Sequence, residues 1–244
     1  MRKLLLAVFS AAMASLTLLG GDLTITSTVT GRGAMAKDGT QIQYISPTRM
    51  RVNHEGTRLD SMVDYDKGVI YTIDHGKRTI TRMTFQDLQD AMQALEEQTG
   101  GMAGMMTKMM FGDASNVKVE KLGADTVLGR PCQKVRITVG KMIEELSLDP
   151  SLTFPIHDYA KAMSFANRMP GPAGVFFKKL YEEIGRLKGV PLRTRVKGFM
   201  GMDMTTEATA VSTAPIPAGT WALPADYKVV DGGKQMKEST QGRH

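Results

Sequence analysis

Five thioethers recur at spacings of three and four along one stretch of the chain: Met102, Met105, Met106, Met109 and Met110 share one face if that stretch is helical. Such a face suits three kinds of chemistry. It can pack beneath an amphipathic lid, line a cavity for acyl chains or another apolar guest, or coordinate Cu(I), which soft sulfur ligands select. Gly100, Gly101 and Gly104 interrupt the stretch, and each interior Gly costs a helix about 1 kcal/mol relative to Ala, so a mobile lid fits better than a rigid one. Just upstream, Phe85, Leu88, Met92 and Leu95 keep helical spacing behind Thr84, an N-cap with Asp87 three residues on. These four and the five methionines are the candidate lining of an apolar-ligand site.

The other reactive side chains do not assemble into a site. His54, His75, His157 and His244 share no metal-ligand spacing with one another or with Cys132, so neither a metal nor a cofactor is expected. Gly31, Gly33 and Ala36 imitate a dinucleotide fingerprint, but Asp38-Gly39 and another strand follow where a helix is required. Ser115 and Lys118 spell S-x-x-K inside an expected strand and lack the partner motifs. The pairs Glu96-Glu97, Glu144-Glu145 and Glu182-Glu183 read as solvated faces. With no nucleophile beside a base, no catalytic residue is assigned and the chain is expected not to be an enzyme.

Charge supplies a second candidate surface. Lys178, Lys179, Arg186, Lys188, Arg193, Arg195 and Lys197 are set against only Glu182 and Glu183. Lys178, Lys179, Arg193 and Arg195 are therefore candidate docking residues for an anionic membrane surface or an acidic envelope partner. Aromatic residues there are too sparse to stack nucleic-acid bases.

The elements that must position these residues are mainly strands. Between Asp22 and Thr84 six short runs, 23–29, 42–45, 50–52, 59–65, 69–73 and 79–83, are separated by turn residues such as Asp38-Gly39 and Asp66-Lys67-Gly68. That is a meander, with no room for crossover helices. After the helix at residue 85, strands are expected at 116–122, 133–139 and 144–148, with Gly129-Arg130-Pro131 as a turn. Helices follow at 157–169 and 175–187, then a hairpin of 192–199 with 203–211 and an extended run at 221–230.

The ends frame this domain. Arg2 and Lys3 precede an apolar run, the layout of a secretory signal peptide over residues 1–21, cut after about residue 14 to 21. No cysteine lies near the cut, so the mature protein is expected to be unlipidated and periplasmic. The formal charge of +6 falls to +4, 29 basic against 25 acidic residues, once Arg2 and Lys3 depart with the leader. That excess is too mild for a nucleic-acid binder. Cys132, the single cysteine, reads as a buried inert thiol. Residues 22–231 make one domain, expected to be monomeric, and 232–244 a disordered polar tail.

The segments "SPTRMRVNHEG" from Ser46 and "MVDYDKGVIYTIDHGKRTITRM" from Met62 resemble the meander of a bacterial exported family of unknown function, itself similar to the LolA/LppX-like outer-membrane lipoprotein carrier superfamily. The matching features are Arg49-Met50-Arg51, Asp64 and Asp66, Tyr71, Asp74 with Lys77, "GVPLRTRV" from Gly189, the strand of Glu207 and "WALPADYKVV" from Trp221. The resemblance implies a mainly β fold: a curved, open antiparallel half-barrel with helices over its concave face and an apolar cavity between. The expected function is binding or carriage of a lipid or lipoprotein acyl chains. The alternatives are Cu(I) handling by the Met-rich segment and an envelope interaction module.

Overall fold

A computed structural model of the chain describes residues 21–32, 38–55, 57–99, 117–155, 178–179, 182–198, 201 and 203–241. Two successive meanders build one sheet. The first is β1 (Leu23–Arg32), β2 (Gly39–Ile45), β3 (Arg49–His54), β4 (Leu59–Asp64), β5 (Val69–Asp74) and β6 (Thr79–Thr84). The second is β7 (Val117–Val127), β8 (Arg130–Val139), β9 (Met142–Asp149), β10 (Val190–Lys197) and β11 (Asp203–Ser212). They join where β1 pairs with both β2 and β11. A last strand, β12 (Lys228–Asp231), crosses to the far edge, giving the order β12-β6-β5-β4-β3-β2-β1-β11-β10-β9-β8-β7. The sheet is open, and register shifts in β1–β11, β7–β8 and β10–β9 mark bulges that bend it.

The six expected N-terminal strands are all present. Alternation buries Leu23, Ile25 and Val29 and turns Thr28 and Thr30 outward. Leu23 lies opposite Ile45, which lies opposite Met50, so one core runs from β1 across β2 and β3 and includes Val190, Leu192 and Cys132. Burial raises the pKa of the Cys132 thiol, which keeps it in the unreactive protonated form.

Three expectations need correction. The β7–β8 turn is Leu128-Gly129, both at positive φ, and Arg130 already pairs with Val127. β12 runs parallel to β6, with Lys228 opposite Thr79, so the sheet is not wholly antiparallel. The tail is helical: α2 (Gly232–Gln241) packs on β6 and on α1 (Phe85–Thr99). Buried Gly233 permits that approach, since a Cβ there would lie 2.5 Å from Asp87 Cγ. The expected cap of α1 forms, with Thr84 N–H donating to Asp87 Oδ2 at 2.9 Å and Asp87 N–H to Thr84 Oγ1 at 3.0 Å.

Candidate functional site

Strand register divides β8, β9 and β10 into two unlike faces. On one, Val135, Ile137 and Val139 of β8 lie opposite Leu146, Glu144 and Met142 of β9, and Thr194 and Val196 of β10 lie opposite Leu146 and Glu144. Residues 182–186 form a helical turn over this face, and Ile184 and Leu187 pack on the cluster of Val135, Ile137, Val139, Leu146 and Leu148. Between turn and sheet lies a cavity of about 570 Å³. Its described walls include Leu146 and Leu148 of β9, Pro191 of β10, Pro150, Leu152 and Phe154 of the following loop, and Ile184 and Leu187 above, with Thr153 as a polar member and Lys188 as the single charged lining residue described.

The opposite face of the same strands is ionic. Arg136 donates twice to Glu145, at 2.7 and 3.0 Å, and Lys134 adds a contact at 3.1 Å. Arg193 forks onto Glu207 at 2.8 and 2.9 Å and reaches Asp125 at 2.7 Å, while Arg195 forks onto Asp203 at 2.9 Å. The Ser147 hydroxyl, against the effect of burial, holds the Asp125 carboxyl below the usual carboxylate range.

At the cavity rim the chain is tied by Asp149, which is 1% exposed. Its Oδ1 accepts the Ser151 N–H at 2.9 Å and the Ser151 hydroxyl at 2.7 Å, and its Oδ2 accepts Arg130 Nε. Burial alone would raise this carboxyl, but the Ser151 and Arg130 bonds outweigh it and leave the pKa lowered. Gly189, at φ +103°, lets the returning chain pass the Asp149 carbonyl, where a Cβ would stand 2.4 Å away.

A second polar cluster fastens the C-terminal segment to the first meander. Arg51 donates to the Thr220 and Ala222 carbonyls at 2.8 and 3.1 Å and to Asp60 at 2.9 Å. His75 bridges Asp60 at 3.1 Å and the Tyr227 hydroxyl at 3.0 Å, and Arg78 pairs with Asp226. Asp64 and Asp74 accept the Lys67 and Lys77 N–H groups at 3.0 and 2.8 Å, closing two hairpin turns. The Arg51, Asp64 and Asp74 that carried the family resemblance are thus framework residues.

The candidate site residues are dispersed. Phe85 and Leu88 are half-buried on α1 and are not among the cavity's described walls, and Met92 and Leu95 lie on the same helix. Met102, Met105, Met106, Met109 and Met110 lie outside the described residues, as do residues 157–169 of the expected lid and the signal peptide through residue 20. Lys178 is exposed and Lys179 half-buried, whereas Arg193 and Arg195 spend their guanidinium groups on cross-strand carboxylates. Counting charge along the chain missed those partners, because Glu207 and Asp203 arrive from β11 and Asp125 from β7. The Glu144-Glu145 pair also splits: Glu145 is on the ionic face, and Glu144 is half-buried on the apolar one, where burial raises its pKa. The cavity walls leave only a faint trace in the sequence, where Leu146 and Leu148 alternate and Ile184 and Leu187 stand three apart. Among the described residues, no helix is long and apolar enough to cross a membrane, and no group of three or more His, Cys, Asp or Glu side chains could hold a metal ion.

A family model described as a domain of unknown function, DUF4412, matches residues 48–227. No curated protein matches the sequence. Among solved structures, PNGF-II is similar at a TM-score of 0.44 and 11% identity over 90% of this chain and 34% of that one. MucB of the Pseudomonas aeruginosa MucA/MucB complex is similar at 0.45 and 14% identity over 87% of this chain and 59% of that one. The LolA superfamily protein NE2245 from Nitrosomonas europaea is similar at 0.32 and 5% identity, over 83% and 90% of the two chains. The chain thus spans about a third of PNGF-II and under two thirds of MucB.

Proposed function

The chain belongs to the DUF4412 family, a domain of unknown function, and on that premise we propose that it is an exported, unlipidated binding or carrier protein that holds an apolar ligand, a lipid or an acyl chain, without chemical change. The observation that carries this reading is the cavity of about 570 Å³ between β9, β10 and the 182–186 turn, with eight apolar side chains in its described wall. That volume falls in the range of roughly 300–1,000 Å³ typical of small-molecule sites. Water in such a space makes few hydrogen bonds, and its release to an entering chain favours binding by about 25 cal/mol per Å² of apolar surface covered.

Displacement of the fluorescent probe N-phenyl-1-naphthylamine by single-chain lipids tests the reading. Wild-type protein should bind the probe and release it to lipid. Leu187→Asp, at a half-buried position above the cavity, should lose probe binding while keeping the wild-type far-UV circular dichroism spectrum. Probe binding unchanged by that substitution would place the ligand elsewhere.

A further inference from the structure

Glu144 is a carboxyl in the wrong company. Its cross-strand neighbours are Ile137, 0% exposed, and Val196, and its strand neighbours on the same face are Met142 and Leu146. Among the described residues it makes no hydrogen bond or ion pair, although Glu145, one residue on, is held by two cations on the other face. Successive same-face residues of a strand lie about 7 Å apart, so Glu144, Leu146 and Leu148 form a line of which the last two wall the cavity.

Glu144 is half-buried there, and a carboxyl that gives up part of its hydration to an apolar face without a partner costs free energy that a bound partner can recover. Resting on the reading of this cavity as an apolar-ligand site, we propose that Glu144 is its specificity-determining polar contact, donating a hydrogen bond to the ester or amide carbonyl oxygen of an acyl ligand laid along β9. The cavity then takes acylated molecules over plain hydrocarbons. Burial, with no charged neighbour contributing, favours the neutral form of Glu144 needed for donation.

The charged groups on elements packed against this face are few among the described residues. Register places Lys121 of β7 across from Val135, while β8 and β10 present Val135, Ile137, Val139, Thr194 and Val196. The 178–188 segment brings Lys178 and Glu182, both exposed, and Lys188 at the cavity wall. Its Glu183 and Arg186 pair with each other, and Lys179 has an interaction of its own. As pH rises through the raised pKa of Glu144, the donor is lost and an anion appears on the apolar face. Ester binding is therefore strong in acid and weakens with rising pH.

The test is displacement of N-phenyl-1-naphthylamine by methyl laurate and by dodecane from about pH 4 to about pH 9, a span that brackets a carboxyl raised from its ordinary value. Wild-type protein should prefer methyl laurate to dodecane by about tenfold in acid, the equivalent of one net hydrogen bond of roughly 1.4 kcal/mol. That preference should fade as the pH rises. Glu144→Gln keeps a neutral donor and should hold the preference at every pH, and Glu144→Leu should lose it at every pH. Equal binding of ester and hydrocarbon by wild type, or a wild-type pH profile in Glu144→Gln, overturns the role of Glu144 and leaves the cavity reading standing. Absence of probe binding at any pH, or binding that Leu187→Asp leaves intact, overturns the cavity reading itself.

Discussion

Asp149→Ala is the most informative single change at the cavity rim, because one buried carboxylate ties three groups there. It removes the acceptor for the Ser151 N–H at 2.9 Å, for the Ser151 hydroxyl at 2.7 Å and for Arg130 Nε. Hydrogen bonds to a charged acceptor contribute about 1.5–3 kcal/mol each when fully buried. Ser151 is exposed and the Arg130 side chain is 39% exposed, so water replaces part of each loss and the ion pair itself is discounted to at most about 1 kcal/mol. The net cost is then about 3 kcal/mol. For a domain of this size roughly 2–4 °C of melting temperature accompanies each kcal/mol, so the midpoint should fall by about 9 °C.

The pH dependence fixes the sign. The Asp149 carboxyl has a lowered pKa in the folded chain, so its stabilisation is fully present above the ordinary carboxylate pKa and is lost as pH falls through the lower folded value. Thermal unfolding followed by circular dichroism from neutral pH into acid should show wild type losing stability faster than Asp149→Ala, with the two curves converging at low pH. Superimposable curves, or a midpoint within about 1 °C of wild type at neutral pH, would refute the role given to this carboxylate.

Arg51→Ala should cost about 2 kcal/mol, since it leaves the buried Asp60 with His75 as its one described partner and frees the Thr220 and Ala222 carbonyls; limited proteolysis should then cut faster within residues 213–227, and an unchanged cleavage rate would count against the tie. Gly189→Ala forces a Cβ to 2.4 Å from the Asp149 carbonyl at φ +103° and should lower the urea midpoint by the equivalent of at least about 2 kcal/mol, whereas an unaltered midpoint would mean the two chains separate freely. A double-mutant cycle of Arg193→Ala and Glu207→Ala should give a coupling of only about 1 kcal/mol, because both partners are partly exposed, and zero coupling would leave the forked pair without energetic weight.

Local pattern carried the strands, and long-range pairing withheld the site. Leu23, Ile25 and Val29 alternating with threonines, and turn residues spaced every few positions, identify a meander because a strand's inward face repeats every second residue. Thr84 and Asp87 likewise announce the start of α1, since the cap is complete within four residues. The cavity joins Leu148 to Leu187 and Pro191 across some forty residues, a proximity that only the β9–β10 register creates. The same register separates Glu144 from Glu145 and gives Arg193 its carboxylates, so a count of charges along the chain shows neither the clamp on Arg193 nor the half-burial of Glu144. The polarity of the tail from residue 232 reads as disorder, yet two buried glycines let it lie against β6 and α1.

The central claim is that the space between β9, β10 and the 182–186 turn holds an apolar guest. Native mass spectrometry of protein purified without detergent tests it most directly. Wild type should carry an adduct of lipid mass that organic extraction removes, and Leu187→Asp of wild-type fold should carry none. A wild-type chain that stays at its bare mass, even after incubation with methyl laurate at acid pH, would contradict the account.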